Sequence, residues 1–329
     1  MGIPILLFFV GLVLLIKGGD WFVDAATGIA HRFHVPELLI GATVVSIGTT
    51  LPEVMVSAQS ALSGHGEIAY GNAIGSVICN AALIAAITIT VRPANADRKA
   101  MRLPLCFFLV AGAIYTGVAY AGGTYSRALG FVLLALFAAY MVLTVLQMKR
   151  TPATLPLPAE EGAEQSAEEK PAKPLWWDLL WLVVGAACIA FGANLLVNNG
   201  TKIAQGMGVP ESVIALTFVA LGTSLPELVT AITSLVKGHG ALSLGNILGA
   251  NLFNLVLVSG ISIAIAPFDR PGNALPNGMN MSLVIDLPVM WAAMLLLCVP
   301  TLLTGKLHRY QGIAMLILYA GFCAVQFAL

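Results

Sequence analysis

Charge is what this chain has least of. Its 329 residues include 16 Lys or Arg and 16 Asp or Glu, 10% in all, where a soluble globular chain carries about a quarter. The two signs balance to zero, so neither a nucleic acid nor an acidic partner is implied. Cysteine is sparse too. Cys79, Cys106, Cys188, Cys298 and Cys323 are scattered through apolar segments, without metal-type spacing or a disulfide framework. No HExxH motif occurs, and no Ser–His or paired-Asp arrangement falls at matching depth, so the chain is read as a non-enzyme. Short alternating segments of the β-barrel kind are missing as well.

What fills the chain instead is hydrocarbon. Hydrophobic residues make up 58%, and apolar stretches of about 20 residues recur along nearly the whole length, the signal of membrane-crossing helices. The pattern predicts an all-α polytopic membrane protein with ten transmembrane helices, near 3–24, 37–62, 68–91, 104–121, 128–148, 176–198, 211–236, 242–266, 284–303 and 311–328. The first segment lacks the early basic residues of a signal peptide and has a counterpart late in the chain, so it reads as a membrane helix. Between the fifth and sixth helices lies KRTPATLPLPAEEGAEQSAEEKPAKP, rich in Pro, Glu and Ala. It reads as a disordered linker over 149–175, dividing a first half (1–148) from a second (176–329).

The halves repeat each other. GATVVSIGTTLPEVMVSAQSALSGHGEIAYGNAIGSVICN has a gapless counterpart in ALTFVALGTSLPELVTAITSLVKGHGALSLGNILGANLFN. Pro36 matches Pro210, Glu53 matches Glu227 and Asn80 matches Asn254, each at an offset of 174, and the repeated units span 36–91 and 210–265. Twelve of the 16 basic residues fall on one side if the N-terminus lies outside. By the positive-inside rule the expectation is a cell (inner) membrane protein with both termini outside and the linker cytoplasmic. Because five helices per half is odd, the halves enter the membrane with opposite polarity. Such inverted repeats are the architecture of secondary transporters.

Each repeat carries residues that are expensive in a membrane. Pro52 lacks an N–H and crowds the carbonyl four residues back, and Pro226 repeats this, so a helix break with freed carbonyls is expected at both. Thr49 and Thr50 lie four and three residues before Glu53, on one helix face, and Thr223, Ser224 and Glu227 repeat the pattern. Ser76 and Asn80 share a face of the next helix, and Asn254 is the later counterpart. Glycines in GNAIG and GNILG are expected to allow close helix approach. A lone proline is usually a kink, and a lone Ser or Thr usually bonds back to its own helix. A lone Glu can pair with a base, but no Lys or Arg lies in the helix cores, and an acid inside a membrane marks a functional site. All these donors are oxygen, which suits hard cations such as Ca2+ and Na+ and not zinc or copper. Protons should compete at the same carboxylates, slowing transport at acid pH. Asp20 and Asp24 could line a cavity or form a polar helix end, and Ser57 and Gln59 could line the path. Glu37, Glu211 and Asp286 read as helix-start caps, His65 and His239 as turn residues.

At GTTLPE…GNAIGSVICN and GTSLPE…GNILGANLFN the chain resembles the calcium/cation antiporter superfamily, most of all its prokaryotic sodium/calcium exchanger branch. The doubled motifs correspond to that family's two α-repeats, and the resemblance covers essentially the full length. It implies an antiporter exchanging Na+ for Ca2+ by alternating access at a midplane site, with Glu53 and Glu227 as central cation ligands. Hydroxyl ligands would be Thr49, Thr50, Thr223 and Ser224, carbonyl ligands Ser46 and Ala220, and further polar ligands Ser76, Asn80 and Asn254. Ala250 stands where a serine is expected, and Asn254 where many exchangers have an acid, which lowers the negative charge of the site. No resident cofactor and no obligatory protein partner are implied, only membrane lipid and the transported ions. The alternatives are an H+/Ca2+ antiporter using the same glutamates and, further off, a passive cation channel.

Overall fold

The computed structural model describes residues 2–150, 174–207, 222–271 and 278–328. The linker segment 151–173, Pro210, Glu211 and Ala220 lie outside the described residues. Nearly everything described is helix: α1 (Gly2–Arg32), α2 (Glu37–Leu62), α3 (Gly66–Val91), α4 (Arg98–Tyr120), α5 (Arg127–Arg150), α6 (Leu175–Gly206), α7 (Leu225–Val236), α8 (Gly240–Ile265), α9 (Ser282–Thr304) and α10 (Arg309–Ala328). Eight of them, all but α7 and α10, are long and apolar enough to cross a membrane. One antiparallel ribbon, Thr124–Tyr125 (β1) with Phe268–Asp269 (β2), joins two inter-helix segments.

The described residues form two compact units, one of residues 1–49 and 144–246, the other of residues 50–143 and 247–329. In the first, α1 and α6 pack along their length at paired glycines. A Cβ on Gly11 would lie 2.8 Å from the Gly192 carbonyl oxygen, and one on Gly185 would lie 2.9 Å from that of Gly18. Around this seam Leu15, Phe22, Val23, Ile40, Ile189 and Leu242 form the apolar core. In the second unit Tyr70, Tyr115 and Tyr125 stack into one buried aromatic cluster, and Phe253 packs edge-on against Phe137 and Tyr140.

Local chemistry sets the helix ends. Asp97 caps α4 by accepting from the backbone N–H of Lys99 at 2.8 Å and of Ala100 at 3.3 Å. Gly305 closes α9 in the left-handed region, with φ of 72°. The GHG turns of the two halves each need a glycine, because Gly64 and Gly238 take φ of +78° and +84°. α1 and α6 run to Arg32 and Gly206, eight residues past the ends expected at 24 and 198. In the added turns Thr27 satisfies its hydroxyl at the Val23 carbonyl (3.0 Å) and Arg32 reaches Asp178 at 3.4 Å. The extra turns are thereby accommodated within the α1–α6 pair.

Several smaller expectations change. Asp286 does not cap α9, which starts at Ser282; its carboxylate accepts from the Gln326 amide at 3.0 Å. Glu37 sits in the first turn of α2, as expected, and also holds His239 Nδ1 at 2.9 Å. Gln59 is exposed and donates to Ser63 at 3.4 Å, off any buried path. Asp20 and Asp24 meet Lys237 Nζ at 3.4 and 2.7 Å. That cluster is partly solvated, so Lys237→Ala should lower thermal stability by no more than about 1 kcal/mol. A melt in detergent that drops far beyond this would show the cluster to be a major structural tie.

Candidate ion-binding site

In the first unit, α2 departs from α geometry before the motif proline. Gly41–Val45 is a π-helical stretch, a feature common at functional sites. Ser46 Oγ donates to the Gly41 carbonyl five residues back at 2.8 Å, satisfying a carbonyl in the widened turn. The helix then continues through Pro52 from Ser46 to Leu62. The break expected at Pro52 is therefore not an end of helix; the irregularity lies about two to three turns upstream. At Pro226 a helix opens instead. Gly222–Ser224 form a turn, and Pro226 falls in the first turn of α7, where its missing N–H has no partner to lose.

Close approach between α2 and α8 places Asn246 beside the motif. A Cβ on Gly41 would lie 2.4 Å from the Leu242 carbonyl oxygen, and one on Gly245 would lie 2.1 Å from that of Leu38. Thr49 Oγ1 donates to Asn246 Oδ1 at 3.1 Å, and Ser46 Oγ lies 3.0 Å from the Asn246 carbonyl oxygen. On α7, Glu227, Thr230 and Ser234 are all fully buried and recur at helical spacing on one face. Ser224 is buried, while Thr223 is only half-buried. The hydroxyls of Ser224, Thr230 and Ser234 have no hydrogen-bond partner among the described residues.

The second unit repeats the chemistry with different residues. Thr50 and Glu53 are fully buried on α2. Asn72 of α3 donates to Ser57 Oγ at 2.8 Å and to the Glu53 carbonyl at 3.3 Å. Ser76 and Asn80 are buried on α3, and Asn254 is buried on α8. Asn80 lies in the π-helical stretch Cys79–Ala85, and Asn254 opens the stretch Asn254–Val258. Matched asparagines thus sit at matched departures from α geometry. The Thr50 hydroxyl and both amide atoms of Asn80 and Asn254 are buried without a hydrogen-bond partner among the described residues. Gly245 fulfils the expectation of close helix approach, while a Cβ on Gly71 or Gly75 would meet nothing within 4 Å among the described residues.

Sequence reasoning missed Asn72, Asn246, Thr230 and Ser234. The available signals were the asparagine in the doubled GNxxG and the three- and seven-residue spacing that puts Thr230 and Ser234 on the Glu227 face. Glu53 and Glu227 are the only fully buried charged side chains among the described residues. No cluster of three or more His, Cys, Asp or Glu side chains fit to hold a metal ion occurs among those residues. The buried donors are therefore one glutamate in each unit with hydroxyls and amides. Buried polar groups normally find partners, and these oxygens match the needs of a hard cation rather than a soft one.

Comparison with known proteins agrees with this chemistry. The family profile described as sodium/calcium exchanger protein matches residues 3–146 and 177–328. The chain is 36% identical to the putative antiporter CaxA of Alkalimonas amylolytica, over 97% of this chain and 96% of that protein. It is 27% identical to the sodium/calcium exchanger MaX1 of Methanosarcina acetivorans, over 98% of both. A solved structure of the sodium-calcium exchanger NCX_Mj, soaked with Na+ and Ca2+, superposes with a TM-score of 0.79 at 30% identity, covering 98% of both chains. A multi-pass membrane protein with these matches over nearly its whole length belongs to the sodium/calcium exchanger family, within the calcium/cation antiporter superfamily.

Proposed function

We propose that the chain exchanges Na+ for Ca2+ by alternating access, with both ions carried at one site built around Glu53 and Glu227. The observation that carries this reading is that these two glutamates, matched across the repeat, are the only fully buried charges described. Thr49, Thr50, Thr223, Ser224, Ser76, Asn80 and Asn254, with carbonyls at Ser46 and Ala220, complete the proposed ligand set. Two carboxylates neutralise one divalent or two monovalent ions, which couples the ions by competition. The ten-span count, the inverted arrangement of the halves, the inner-membrane location, the outward termini and the cytoplasmic linker belong to the same proposal. Their support is the odd helix number per half and the bias of basic residues.

The test is radioactive calcium uptake into proteoliposomes preloaded with Na+, with and without an imposed sodium gradient. Uptake that requires internal Na+ is expected. It should fall as the pH drops, because protonation removes the charge that holds the cation. Uptake indifferent to Na+ but driven by a pH gradient would move the protein to proton coupling. The absence of trans-stimulation by any second ion would mark a channel.

A further inference from the structure

We propose that Asn246 is a positioning residue: it takes the proton of the Thr49 hydroxyl and so leaves that oxygen's lone pairs for the transported cation. The inference rests on the reading above, in which Thr49 is a cation ligand. A hydroxyl has one proton and two lone pairs. It can ligate a cation well only if the proton is directed elsewhere. A helical threonine ordinarily gives its proton to a carbonyl of the preceding turn. Thr43, on the same helix, does so, donating to the Leu39 carbonyl at 2.7 Å. Thr49 does not follow it. Its contact to the Ser46 carbonyl is 3.5 Å, at the limit of a hydrogen bond, while Asn246 Oδ1 lies at 3.1 Å.

The neighbours leave this acceptor to Thr49. Ser46 has its best acceptor in the Gly41 carbonyl at 2.8 Å, against 3.3 Å to Asn246 Oδ1. Asn246 is itself fully buried, and its Nδ2 has no hydrogen-bond partner among the described residues. The side chain is thus held as an acceptor, without a matching donor bond to explain its presence. Asn72, its counterpart in the other repeat, does the reverse. Its Nδ2 donates to Ser57 Oγ at 2.8 Å, occupying a lone pair instead of freeing one. The same residue at the same repeat position therefore orients hydroxyls in opposite senses in the two halves.

A double-mutant cycle on Ca2+ uptake in proteoliposomes tests this, using Asn246→Leu, Thr49→Val and the pair. Leu keeps the approximate volume and removes the acceptor. N246L should raise the Ca2+ KM about tenfold, the worth of one hydrogen bond in a buried setting, with kcat changed less than about twofold. The double variant should be no worse than T49V alone, because Asn246 acts through Thr49. Additive effects, or a loss of kcat with KM unchanged, would overturn the inference and leave Asn246 a packing residue. If N246L does not yield monodisperse protein, Asn246→Ser run through the same cycle decides in the same way. Wild-type protein that transports Ca2+ without Na+ dependence overturns only the coupling ion, since the cycle is read on Ca2+. Wild-type protein with no saturable Ca2+ transport overturns both readings.

Discussion

Glu53→Gln should cut Ca2+ uptake to background while leaving the protein folded. The side chain is fully buried, and glutamine fills nearly the same volume, so little packing is lost. What changes is charge. Removing one member of a buried charge pair costs about 3–5 kcal/mol, a factor of about a hundred or more in affinity. Folding and binding can be separated by melting the protein in detergent. A ligand that binds only the native state at a hundred times its Kd stabilises it by about 2.7 kcal/mol. Wild type should therefore melt higher when Ca2+ is added, and E53Q should show no such shift. Glu53→Asp, which keeps the charge and withdraws it by one methylene, should fall between the two. A Gln variant that still transports Ca2+, or is still stabilised by it, would remove Glu53 from the site.

The glutamates were legible in the sequence for the reason that makes this effect large. A carboxylate in an apolar helix is costly, so its appearance at Glu53 and again at Glu227 signals use. Helix existence was legible from apolar run length in the same way. The ends were not. α1 continues through Asp24, Thr27 and His31 to Arg32 because partners at Val23 and Asp178 satisfy its polar groups, and those partners depend on folding. Proline context was half legible. Pro52 and Pro226 share a motif, yet one lies within a continuous helix and the other opens one. Asn72 and Asn246 carry the same lesson into the candidate site. Residue type and spacing agree, but one amide donates to Ser57 and the other accepts from Thr49. Spacing along one helix says which side chains share a face; it does not say which neighbouring helix will meet them.

The repeated glycines turn that limit into the second large prediction. Gly71 and Gly245 open GNAIG and GNILG at the same offset as the glutamates. Among the described residues a Cβ at Gly71 would meet nothing within 4 Å, while one at Gly245 would sit 2.1 Å from the Leu38 carbonyl oxygen and 2.8 Å from its carbonyl carbon. The obstacle at Gly245 is backbone, so no rotamer change relieves it. Either α8 and α2 separate locally or Leu38 shifts, and the second route disturbs the π-helical turn that starts at Gly41. Overpacking of this kind costs about 1–3 kcal/mol and sometimes more, in an interface where small residues provide the contact. Gly71→Ala meets no such obstacle among the described residues and gains the helix preference of alanine, up to about 1 kcal/mol. Gly245→Ala should thus give little monodisperse protein, or a sharply lower melting temperature. Gly71→Ala should melt at or above wild type. Equal melting of the two variants would mean that the close crossing at Gly245 is not held in the folded protein. The placement of Asn246, one residue further along α8, would then lose its structural basis as well.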